Sequence, residues 1–160
     1  MHTIGALEEI IDLKAPSDEG EKAKKNLDLI PPQHLQRMKV AVEEGYNVFP
    51  GYKRIRAGRQ VLELRFDGIA GCLRTPEGGS SRQLLIIKDN GHIQTRLLTV
   101  AETAALLGVR KSYKIPGSYN DGYRAMGDAV AVPAARHLAR FLLHPLSELF
   151  RCEDECHGRA

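Results

Sequence analysis

The stretch Leu84-Leu85-Ile86-Ile87-Lys88-Asp89-Asn90-Gly91-His92-Ile93-Gln94-Thr95-Arg96-Leu97-Leu98-Thr99-Val100-Ala101-Glu102 carries three local signals in order. Leu84 to Lys88 is an apolar run of strand length, bounded by turn residues. Asn90-Gly91 is the dipeptide that a two-residue hairpin favours, because both central positions need positive φ, so His92 to Leu97 reads as the returning strand. Thr99 with Glu102 is a capping box: the hydroxyl meets the amide three residues on and the carboxylate reaches back. That helix runs over about 99–107 and stops at Gly108. A hairpin that feeds a capped helix points to an α+β fold.

The same reasoning extends outward. Val61 to Phe66 alternates, with Leu62, Leu64 and Phe66 on one face and Glu63 and Arg65 on the other, which adds a strand. The small antiparallel sheet therefore uses about 61–66, 84–88 and 92–97. Pro31-Pro32 opens a helix over about 32–44 that Gly45 ends, with Leu35, Met38 and Val42 inward. Pro133 opens another over about 133–144, with Leu138, Phe141 and Leu142 apolar and His144-Pro145 closing it. Residues 1–14 hold a short apolar pattern (Ile4, Leu7, Ile10, Ile11). Residues 15–28 read as a polar connector with little to bury, and Lys114 to Asp128 as a tyrosine- and glycine-rich loop. The divisions are an N-terminal arm and connector (1–28), a sheet-bearing region (29–98), closing helices (99–146) and a tail (147–160).

With 160 residues, 42% apolar and 27% charged, the composition is that of a globular protein. No apolar run reaches the ~18 residues of a membrane span, and Glu8, Glu9 and Asp12 argue against a signal peptide. Cys72, Cys152 and Cys156 make no disulfide framework, so the expected place is the cytoplasm. Cys72 reads as a packing cysteine. Cys152, Cys156 and His157 lack the fourth ligand and spacing of a zinc finger, so no metal is expected and the tail reads as disordered and acidic.

Charge is unevenly distributed. From Tyr52 to Arg82, seven basic residues (Lys53, Arg54, Arg56, Arg59, Arg65, Arg74, Arg82) face three acids (Glu63, Asp67, Glu77), against a net +3 for the whole chain. Arginine's fork suits phosphates and guanine edges. Gly78-Gly79-Ser80-Ser81-Arg82 offers free amides, hydroxyls and a guanidinium, a set suited to a phosphate.

Two blocks complete the reading. Arg96, Leu98, Thr99, Glu102 and Gly108 fit one pattern, and Gly127, Ala129, Val130 and Pro133 fit a second, with Lys114-Ile115-Pro116 and Tyr123 between. Together they resemble the last two conserved blocks of DNA (cytosine-5) methyltransferases. The family's arginine is Ala101 here, its Phe-Pro pair is Val109-Arg110, and its asparagine is Asp128. Arg65 to Gln83 is similar to the end of the target recognition region in phage- and prophage-type members. Phe66-Asp67-Gly68-Ile69-Ala70-Gly71 mimics the family's cofactor loop, but Pro76 and a Gly-Gly-Ser-Ser loop follow it rather than a helix.

The resemblance implies methyl transfer from S-adenosylmethionine to a flipped cytosine, through a cysteine in a Pro-Cys dipeptide and a supporting glutamate. No proline here precedes a cysteine, so no catalytic residue is assigned and the chain is expected to be inactive alone. Duplex DNA is the implied partner, through Arg54, Arg56, Arg74, Gly78, Gly79, Ser80, Ser81 and Arg82, with Tyr119, Asn120 and Tyr123 as further backbone contacts. Asp128 and Ala129 are implied to line the S-adenosylmethionine pocket once a catalytic domain or subunit is supplied. The apolar face of 133–144 is expected to be partly exposed and to seek that partner or a second copy. Three arrangements stay open: a split-enzyme subunit, the C-terminal piece of a longer enzyme, or a stand-alone DNA-binding or regulatory module.

Overall fold

A computed structural model describes residues 9–75, 82–89 and 91–157. Helix α1 (Gly20–Leu27) and helix α2 (Pro32–Glu43) precede strands β1 (Val48–Arg56), β2 (Arg59–Leu64), β3 (Gln83–Asp89) and β4 (His92–Leu97). Helices α3 (Val100–Leu106), α4 (Tyr119–Asp128) and α5 (Val132–Leu138) follow. A π-helical turn (Ala139–Leu143) then joins α5 to α6 (His144–His157). The strands form one antiparallel sheet in the order β2-β1-β3-β4. The fold is α+β.

Each face of the sheet buries one cluster. On one side Phe49, Leu62, Leu64, Leu84 and Ile86 pack against Ile30 and Met38, with Leu35, Val42 and Phe66 partly buried beside them. The inward face expected for the 32–44 helix is the one observed, and Gly45 ends it at φ +95°. On the other side Val48, Leu85 and Ile87 pack with Ile11, Leu98 and Tyr123. The alternating side chains of β3 feed both clusters, which is why it has no polar face.

The hairpin between β3 and β4 has the expected register, with Asp89 opposite His92 and Gly91 at φ +85°. Asn90 lies outside the described residues. The capping box also forms: Thr99 Oγ1 accepts from Glu102 N at 3.2 Å, and Glu102 Oε2 accepts from Thr99 N at 2.7 Å. No helix among the described residues is long and apolar enough to cross a membrane.

Several expectations are corrected. Strand β1 joins the three expected strands, and Pro50-Gly51 interrupts its apolar pattern. Gly51 is needed there, since a Cβ would sit 2.8 Å from Leu64 Cδ2 and 2.9 Å from Glu63 O. Strand β2 starts at Arg59 and ends at Leu64, two residues before Phe66. The connector 15–28 contains α1, which buries Ala23 and Asn26. Asn26 Nδ2 donates to Thr95 Oγ1 at 2.8 Å, and Asp18 exchanges backbone hydrogen bonds with Thr95 along the outer edge of β4. That edge is therefore partly covered.

The loop expected over Lys114 to Asp128 is largely α4. Ser118 and Asp121 form its capping box, a signal hidden by the glycines around it. The last helix does not end at His144-Pro145: a π-turn absorbs one extra residue and the backbone stays helical to His157. The tail expected to be disordered is thus helical up to that residue. The first eight residues, with Ile4 and Leu7, lie outside the described residues.

Candidate functional site

Strand β1 continues past the core with Tyr52, Arg54 and Arg56 on one face, because side chains two apart share a face. Its partner β2 brings Glu63 opposite Tyr52 and Val61 opposite Arg54. A two-residue turn at Ala57-Gly58 closes this hairpin, with Ala57 at φ +48° and Gly58 at φ +75°. Arg56 donates to Glu63 through Nε (2.5 Å) and Nη2 (3.1 Å), and Arg54 Nε lies 3.2 Å from Glu63 Oε2. The Arg56 hydrogen bonds hold the Glu63 carboxyl below its ordinary pKa despite some burial. Arg54 also lies over the Tyr52 ring, 5.6 Å from its centroid.

The segment after β2 lies back along this hairpin. Tyr52 donates its hydroxyl to Cys72 O at 2.7 Å, and its ring fills the space a Gly71 Cβ would take. Burial pushes the Tyr52 hydroxyl pKa upward. Further on, Thr75 donates its hydroxyl to Asp128, and Gly127 sits against the backbone of Arg74 and Thr75. A Cβ on Gly127 would come within 2.6 Å of Thr75 N. These two anchors set the position of Arg74.

The outcome is a groove of about 620 Å³ that holds Arg54, Arg56 and Arg74 together with His34, Lys53, Arg65, Glu63 and Cys72. His34 Nδ1 accepts from Leu64 N at 3.0 Å, so its Nε2 carries any proton of the neutral ring. Arg65 pairs with Asp67, and that contact holds the Asp67 carboxyl below its usual pKa range. Cys72 is exposed in this groove rather than packed, which corrects the expectation of a packing cysteine. Residues 72–75, the described part of the segment after Gly71, form no helix.

Arg82 is elsewhere. It donates to Asn120 Oδ1 at 2.6 Å and lies over the rings of Tyr119 and Tyr123, at 5.3 and 5.8 Å. Tyr123 is buried, and its hydroxyl accepts from Gln83 N at 3.1 Å, while Tyr119 donates to Leu98 O at 3.0 Å. Both tyrosines and Asn120 thus serve the junction between α4 and β3. Gly78, Gly79, Ser80 and Ser81 lie outside the described residues.

Asp128 and Ala129 border two depressions. Ala129 lines an apolar hollow of about 410 Å³ with Ile69, Leu73, Leu106, Leu107 and Met126. Asp128 borders a shallower one with Arg74, Arg124 and Thr75. No group of three His, Cys, Asp or Glu that could hold a metal occurs among the described residues. Val132 N still donates to Leu107 O at 2.8 Å, but beyond it the chain leaves the body: every residue from Pro133 to Arg151 is exposed, including Leu138, Phe141, Leu142, Leu143, Leu146, Leu149 and Phe150. The apolar face expected on the last helix is exposed, and it is longer than expected.

Sequence reasoning found the arginines but missed Tyr52, Glu63 and His34. The i, i+2 spacing of Tyr52, Arg54 and Arg56 is a strand-face signal, concealed by the Pro50-Gly51 pair inside Val48–Arg56.

Comparison with known proteins agrees with the resemblance to cytosine-5 methyltransferases. A 45-residue stretch is 49% identical to the DNA (cytosine-5)-methyltransferase CMT2 of Oryza sativa subsp. japonica, over 28% of this chain. The chain spans 3% of that protein's length. No solved structure matches. The C-5 cytosine-specific DNA methylase profile matches residues 8–144, most of the chain, and so this chain belongs to that family.

Proposed function

We propose that this chain is the recognition and closing segment, the C-terminal part, of a phage- or prophage-type DNA cytosine-5 methyltransferase. It holds duplex DNA, and a catalytic domain or subunit supplies the cysteine and the rest of the cofactor site. The observation that carries this reading is the groove: Arg54, Arg56 and Arg74 converge there from two separate segments, in a member of a DNA-modifying family. Exposed arginines on a hairpin suit phosphates and base edges. In this reading 29–98 is the recognition region and 99–146 the closing helices. Gly78, Gly79, Ser80 and Ser81 add phosphate contacts. Arg82, engaged with Asn120, positions the start of β3 in addition to any DNA contact.

S-adenosylmethionine supplies the methyl group in this family. Asp128 and Ala129 fit its lining: the aliphatic hollow at Ala129 suits a flat apolar ring, and Asp128 offers a carboxylate in the separate depression beside Arg74 and Arg124. Thr75 orients that carboxylate from the recognition side. The hollow contains few polar groups, so the remaining contacts belong to the catalytic half. The exposed arm from Pro133 to Arg151 suits docking of that half, and self-association in its absence. A DNA substrate implies an intracellular setting.

The test is binding of a fluorescent duplex to the full chain at low salt, followed by anisotropy. Binding that weakens steeply with added salt and is lost in an Arg54→Ala/Arg56→Ala/Arg74→Ala variant supports the reading. No binding, or equal binding by the variant, overturns it.

A further inference from the structure

The acid in the middle of the groove is its least expected member. A surface built only to hold phosphates gains nothing from a carboxylate between its arginines, since a like charge repels the ligand. Glu63 is nevertheless there, its side chain 28% exposed, touching both Arg54 and Arg56. It approaches Arg54 most closely at Nε and takes two hydrogen bonds from the Nε–Nη2 edge of Arg56. Among the described residues, Arg54 Nη1 and Nη2 and Arg56 Nη1 have no hydrogen-bond partner. Both side chains remain accessible, at 44% and 61%. Terminal donors of both guanidinium groups are therefore unpaired, while Glu63 holds Arg56 by two hydrogen bonds and Arg54 by an ion pair.

That arrangement matches the demand of one base. Guanine presents O6 and N7 side by side in the major groove, and an arginine end edge donates to both at once. Holding the guanidinium in this way removes rotamer freedom that the contact would otherwise cost. The carrier is a two-stranded hairpin ending in a tight turn, a shape the major groove admits. The Tyr52 ring braces Arg54 from a second direction.

We propose that Arg54 and Arg56, braced by Glu63, read guanine in the major groove of duplex DNA, with Glu63 a positioning residue that sets specificity. The proposal rests on the DNA-binding reading above and names the base it selects.

The test uses the full chain and duplexes it selects from a random-sequence pool, remade with 7-deazaguanine in place of guanine. Removing N7 leaves the phosphates and base pairing intact. The wild-type chain is expected to bind the modified duplexes roughly tenfold more weakly. Glu63→Gln, which keeps the shape and loses the charge, is expected to bind non-selected duplexes more tightly while that ratio falls toward one. Arg54→Lys, which keeps the charge and loses the fork, is expected to lower the ratio as well. A wild-type chain that binds both duplexes equally overturns the guanine assignment and leaves the DNA-binding reading standing. Glu63→Gln with an unchanged ratio overturns the role of Glu63. No binding to any duplex overturns both readings.

Discussion

Arg96 and Glu102 meet as a buried bidentate pair, Nη1 to Oε2 at 2.8 Å and Nη2 to Oε1 at 2.6 Å. Glu102 also accepts from the amides of Thr99 and Asp12, at 2.7 and 2.8 Å, and Arg96 Nη2 donates to Asp12 O at 2.9 Å. Three of the residues that carry the family resemblance, Arg96, Thr99 and Glu102, thus form one knot that joins β4, α3 and the N-terminal segment. The side chains are 4% and 3% exposed, so each charge depends on the other. Arg96→Met or Glu102→Ala, by leaving an unpaired buried charge, is expected to cost about 3–5 kcal/mol. Urea unfolding reads this, and a loss under about 1 kcal/mol would count against it.

The same pair sets a pH dependence. Burial alone would raise the Glu102 pKa, but the Arg96 guanidinium and the Thr99 and Asp12 amides outweigh it and leave the pKa lowered. The unfolded chain therefore takes up this proton more readily than the folded one. The stabilisation is complete above the unfolded glutamate value, about 4.3, and is lost as the pH falls through the depressed folded value. The stability gap between wild type and Glu102→Gln should narrow over that fall. A constant gap would contradict the assignment.

Gly127 offers a test of sign. Replacing a helical glycine with alanine normally stabilises, by about 1 kcal/mol. Here the new Cβ would meet Thr75 N and Arg74 C at 2.6 and 2.7 Å, both backbone atoms that cannot swing aside. Gly127→Ala is therefore expected to destabilise by about 1–3 kcal/mol, read from the urea midpoint. A stabilised variant would mean that α4 and the 74–75 segment do not touch as described.

Arg74 is held beside the hairpin by those contacts and is proposed as a phosphate ligand. Arg74→Ala should weaken duplex binding similarly for all sequences and reduce the slope of log K against log salt by about one. A change confined to particular sequences would instead make Arg74 a base reader.

The arm makes the opposite kind of prediction. Phe141→Asp and Leu142→Asp alter exposed residues of a helix that leaves the body, so unfolding should shift by no more than about 0.5 kcal/mol. Sedimentation should show reduced self-association relative to wild type. Large destabilisation would mean that the arm packs against the core.

Local signals were legible wherever one residue type satisfies one backbone demand. The hairpin at Asn90-Gly91, the capping box at Thr99 and Glu102, the helix stop at Gly45 and the inward face of α2 all belong to this kind. The elements that escaped have weak local patterns and strong distant partners. Strand β1 reads poorly through Pro50-Gly51, yet it is held between β2 and β3. Helix α1 has little apolar surface, but Asn26 finds the Thr95 hydroxyl on the edge strand β4.

By itself the sequence determined the α+β class, the resemblance carried by Arg96, Thr99, Glu102 and Gly127, and the arginine-rich character of the 52–82 region. Those properties depend on residue type and on neighbours a few positions away. The tertiary structure alone decided which arginines lie together. Arg54, Arg56 and Arg74 share a groove because Tyr52 binds the Cys72 carbonyl and Gly127 admits the backbone at Thr75. Arg82 turns away because Tyr119, Tyr123 and Asn120 claim it. These contacts join residues roughly 20 to 50 positions apart, and a pairing over that distance leaves no mark in local periodicity.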